Sequence, residues 1–108
     1  LKVSLLEGEM KIIVVNGFVI DPFSSCGDGQ GRMSYWIHHI KWSEVPTQFP
    51  SNRVLKRLAI QYLGCELTPE TPQFWGNMGI HFTIDAGVTY ERRAAFLAAV
   101  VANTKLHD

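Results

Sequence analysis

An excess of charge of either sign is missing from this sequence: 10 Lys and Arg stand against 10 Asp and Glu in 108 residues, a formal net charge of zero. Proteins that bind nucleic acid draw most of their affinity from neutralising phosphates, so a nucleic-acid partner is disfavoured. Long apolar runs are missing too. The longest, Ala94 to Ala102, has nine residues, against the ~20 a helix needs to cross a bilayer, so no membrane partner is expected. Cysteine is scarce. Cys26 and Cys65 are the two thiols, and the first ten residues carry two glutamates rather than the apolar stretch of a secretory leader. These features suggest a cytoplasmic protein with both thiols reduced.

The remaining composition is that of a folded domain, with 46% hydrophobic and 19% charged residues. A chain of this size buries roughly 60 to 70% of its unfolded surface, so it needs neither disulfides nor a structural metal. Residues 1–9 read as an N-terminal extension. Met10 then opens a more usual start, and 10–108 is expected to be one domain.

The local pattern predicts an α+β fold: a small, mainly antiparallel sheet, made of an N-terminal hairpin and two further strands, packed against two helices. Ile12 to Val15 and Phe18 to Ile20 flank Asn16-Gly17, which tolerates the two positive φ angles of a type I′ turn. Asp21 to Gly31, with glycines at 27, 29 and 31, reads as a loop. Met33 to Trp42 fits either period and is read as a strand, with Trp36, His38, Ile40 and Trp42 on one face and Tyr35, Ile37 and His39 on the other. Ser51 caps a helix that Gly64 ends, with a stripe of Val54, Leu55, Leu58, Ala59, Tyr62 and Leu63. Leu67 to Gly79, which carries Phe74-Trp75, reads as a second long connection. Ile80 to Asp85 alternates as a half-buried strand. Thr89 caps a final helix running to Asn103.

The apolar run in that last helix suggests that it is covered nearly all round. Ala94, Ala98 and Ala102, four apart, form a ridge over which a second helix could approach, from the same chain or from a second copy, so a homodimer is expected.

Chemistry-bearing patterns are sparse. His81-Phe82-Thr83-Ile84 has the form H-x-T-x, which two-histidine phosphoesterases use in two copies; one stands here. A small cofactor-free hydrolase or isomerase would use His81 as general acid or base, Asp85 to orient it, and Thr83 or Tyr35 to contact substrate. His38 and His39 are adjacent and point to opposite strand faces, so they cannot share a metal. No spacing among these histidines, Asp85, Cys26 and Cys65 matches a ligand set, and neither metal nor cofactor is expected. Arg53, Lys56, Arg57, Arg92 and Arg93 read as solvated helix faces.

Large rings are the strongest lead. Trp36, Trp42, Phe74 and Trp75 accompany Tyr35, Tyr62 and Phe82, and tryptophan is enriched at interfaces and in pockets. The leading expectation is a non-catalytic binding or interaction module holding a protein partner or small apolar ligand. Its site would lie between the Phe74-Trp75 segment and the sheet face bearing Trp36, with His38 or His81 as the polar group. The alternative is the enzyme built on His81, Thr83 and Asp85.

Overall fold

The computed structural model describes residues 13–22, 31–41, 47–75 and 78–106. Strands β1 (Ile13–Val15) and β2 (Phe18–Pro22) form the expected hairpin. Asn16 and Gly17 sit at φ 51° and 84°, the pair of positive angles a type I′ turn demands. Strand β3 (Arg32–His39) follows, then a two-residue strand β4 (Thr47–Gln48). Helix α1 (Asn52–Leu58) runs directly into a π-helical turn, Ala59–Leu63. Strands β5 (Gln73–Trp75) and β6 (Gly79–Asp85), helix α2 (Tyr90–Ala102) and strand β7 (Lys105–Leu106) complete the order. The main sheet is antiparallel throughout, in the order β1-β2-β3-β6-β5, and β4 pairs with β7 apart from it.

Several expectations need adjusting. The strand expected over 33–42 stops at His39, because Ile40 and Lys41 turn away; Ile40 N–H donates to the Gly17 carbonyl and Lys41 N–H to the His39 Nδ1. Trp42, Cys26, most of the expected 21–31 loop and the 1–9 extension lie outside the described residues. The connection expected over 67–79 contains β5, an edge strand too short to show alternation.

Both helices lie on one face of the sheet. Met33, Tyr35 and Ile37 of β3 and Ile80, Phe82 and Ile84 of β6 point to that side, where they meet Leu55, Leu58, Leu63, Phe96, Leu97 and Val100 in one core cluster. The caps act as read: the Ser51 hydroxyl accepts from Val54 N–H, the Thr89 hydroxyl accepts from Arg92 N–H, and Gly64 closes the first helical segment at φ 77°. A Cβ on Gly64 would strike the Arg92 guanidinium, which donates to the Leu63 carbonyl at 3.3 Å across that corner.

Helix α2 resolves its apolar run without a polar face. Phe96, Leu97 and Val100 turn inward, Ala94 is half-buried, and the exposed positions are Ala95, Ala98 and Ala102. Bulk goes to the core and methyl groups to the outside, so one sheet and the π-helical turn cover what needs covering. Arg93 departs from its expected solvated face and is buried. Its guanidinium donates to the Val88 carbonyl at 2.7 Å and lies 5.2 Å from the centre of the Tyr35 ring. Among the described residues, no helix is long and apolar enough to cross a membrane.

Candidate aromatic binding face

The opposite face of the sheet carries the alternate residues. Registration puts Val19, His38, Gly79 and Trp75 in one row across four strands, and Asp21, Trp36, His81 and Gln73 in the next. Beyond them Ser34 meets Thr83, and Arg32 faces Asp85. Three of the four residues read as a binding site therefore converge: Trp36, His38 and Trp75. Phe74 does not join them. It is the odd residue of β5, registered with inward-facing Ile80, and projects to the other side of the sheet edge.

Gly79 makes the convergence possible. A Cβ there would fall 2.8 Å from Cζ2 of Trp36 and 3.0 Å from its Cε2, so only a bare backbone lets the Trp36 indole lie across β6. The ring thereby reaches Trp75, with centroids 4.9 Å apart and planes at 89°. Such an edge-to-face pair contributes about 0.5–1.5 kcal/mol beyond its burial. The contact also corrects the expected pocket. The space between the 74–75 segment and Trp36 is filled by ring on ring, and the outcome is a ledge whose outer ring, Trp75, remains 49% exposed.

Polar groups flank the ledge. His38 donates from Nδ1 to the His39 carbonyl at 2.8 Å and faces the Asp21 carboxylate from Nε2 at 3.2 Å, so with both ring nitrogens protonated it serves two acceptors. His81 lies between Trp36 and Gln73, and burial holds its imidazole below the ordinary value of 6.5. The neutral ring is therefore the folded-state form at neutral pH. Because the folded value is depressed, the stability this supplies is complete above about pH 6.5 and is lost as the pH falls below it. His81→Gln is expected to flatten the acid-side decline of the urea midpoint between pH 7 and about 5. An unchanged slope would count against the neutral-ring assignment.

The residues of the catalytic alternative are not brought together. His81 and Asp85 share a face but stand four residues apart, about 13 Å along a strand. Asp85 Oδ1 instead accepts from Gly87 N–H at 2.7 Å, and the Thr83 hydroxyl bonds to that of Ser34 at 2.8 Å. Tyr35, offered as a substrate contact, is buried on the helix side, stacked on Phe82. His39 also points to the helix side, edge-on to Phe18. Among the described residues, no group of three or more His, Cys, Asp or Glu side chains could hold a metal ion.

A second concavity was not legible in the sequence. Leu63, Cys65, Asp85, Val88, Thr89 and Arg92 line a cleft of about 390 Å³ where the π-helical turn meets the start of α2. Burial pushes the Cys65 thiol above its ordinary value of 9.0, which keeps it protonated and a weak nucleophile.

Fold and site together define a small α+β module: an antiparallel sheet with helices on one face and an aromatic ledge on the other. Comparison with protein families, with curated proteins and with solved structures finds no match.

Proposed function

We propose that this chain is a non-catalytic binding module that takes its ligand on the open sheet face, with Trp75 as the principal contact. The observation that carries the reading is a half-exposed indole locked at right angles against a second one, with His38, His81 and Gln73 around them. Holding a large ring exposed leaves apolar area in water, a cost of about 25 cal/mol per Å² that a bound partner removes. Catalysis is not part of the proposal, since the side chains it would need are spread along β6. Nor does the proposal require a second copy of the chain, because the Ala94, Ala98 and Ala102 ridge offers only methyl groups.

Screening a fragment library by NMR tests it. Hits are expected to shift the indole N–H signals of Trp36 and Trp75 and the side-chain amide of Gln73, and to disappear in Trp75→Ala. Hits that map to the cleft beside Cys65, or that survive Trp75→Ala, would defeat the reading.

A further inference from the structure

We propose that the ligand of this face is a neutral carbohydrate, with a sugar ring lying on Trp75 and its hydroxyls bonded to Gln73 and His81; the inference rests on the binding-module reading above. The shape of the site is the first reason. A small apolar molecule needs a cavity that buries 70–90% of its surface, roughly, to bind well. Ring contact between Trp36 and Trp75 leaves a ledge in place of such a cavity. An open ledge suits a molecule that contributes one face and keeps the other in water, which describes a sugar unit within a chain.

Charge is the second reason. The two rows that hold the indoles contain no Lys or Arg, and their carboxylate, Asp21, is compensated by His38. Single-stranded nucleic acid also stacks on aromatic rings, but it requires a positive groove along its backbone. A cationic ligand would require a carboxylate not already engaged. What remains beside the ledge is dipolar: the exposed Gln73 amide, which donates and accepts, and the imidazole of His81, which in its neutral form does the same. Gln73 lies two residues from Trp75 on the same face, about 6.6 Å along β5. That separation puts its amide within reach of a hydroxyl on a ring seated over the indole. The face of an indole is electron-rich and attracts the weakly positive C–H groups on the flat side of a pyranose. Apolar face to indole and hydroxyls to amide and imidazole is the match this surface offers.

The test titrates the full chain with neutral hexamers of glucose (β-1,4 and α-1,4), mannose, xylose and N-acetylglucosamine, read by tryptophan emission and by NMR. Saturable binding of at least one, with Kd near 1 mM or tighter, is expected. Trp75→Ala should weaken it by about tenfold or more and Gln73→Ala by a few-fold, whereas Arg53→Ala, on the exposed side of α1, should leave it unchanged. No saturable response to any hexamer at about 10 mM overturns the proposal, as does binding that survives Trp75→Ala. If the fragment hits still map to Trp75 in that case, the binding-module reading stands and only the ligand class falls. Trp75-dependent binding of an oligonucleotide or a peptide, with no response to the sugars, overturns it equally. Absence of both fragment and sugar binding removes both readings.

Discussion

Arg93→Ala is expected to lower the unfolding free energy by about 3 kcal/mol, the largest effect of any single charged-residue change in this chain. Three losses combine. The aliphatic stem is buried between α2 and the sheet, and its removal leaves a cavity that the surroundings fill only in part. The Val88 carbonyl loses a donor at 2.7 Å, and a buried acceptor without its partner costs about 1–3 kcal/mol. The Tyr35 ring loses a cation 5.2 Å from its centre, a contact of roughly 0.5–2 kcal/mol. The terms overlap, which keeps their combined effect below their sum. Stability of a domain this size is about 5–15 kcal/mol, so the variant should fold with a urea midpoint reduced by a large fraction. Arg93→Met separates the causes: it restores the stem and should recover about half of the loss. A midpoint unchanged in Arg93→Ala would mean that the guanidinium is not held between Val88 and Tyr35.

Gly79→Val should cost about 2–3 kcal/mol and also dismantle the ledge. The first carbon of the new side chain would lie 2.8 Å from Cζ2 of Trp36 and 3.1 Å from the Ile37 carbonyl. The carbonyl belongs to the central strand and cannot yield, so the Trp36 ring must. Once Trp36 lifts from β6, Trp75 loses the surface it stands against. The expected signature is a lower urea midpoint together with loss of the coupled-indole band in circular dichroism. Retention of that band in a destabilised variant would show that the indoles meet without help from Gly79.

Much of the scaffold follows from local chemistry. Asn16-Gly17 specifies a turn that few other dipeptides accept, Ser51 and Thr89 supply the hydroxyls that start two helices, and the alternation from Ile80 to Asp85 sorts β6 into its two faces. Strand β5 escaped because three residues between Pro72 and Gly76 show no period, and prolines with glycines ordinarily mark a connection. The burial of Arg93 was present in the spacing. Residues 93, 96, 97 and 100 fall on one helical stripe, and the charge at 93 concealed its membership. The meeting of Trp36 with Trp75 was beyond local reasoning, because it depends on β6 lying between β3 and β5, and strand order is a matter of tertiary packing. The cleft beside Cys65 escaped for the same reason, being assembled from segments that approach one another only after the helices dock.

The alternation of β3 also constrains how this chain can vary. Met33, Tyr35 and Ile37 belong to the core, and Ser34, Trp36 and His38 to the binding face, so both sets are read from one strand in a two-residue frame. Loss or gain of a single residue within Arg32–His39 would exchange the sets, sending the indole and imidazole towards the helices and the aliphatic side chains into water. Core and ledge would fail in the same event. Length changes in this strand are therefore survivable only in twos, and a shift of the site by one position is closed to gradual change even though every individual side chain on the open face is free to be replaced.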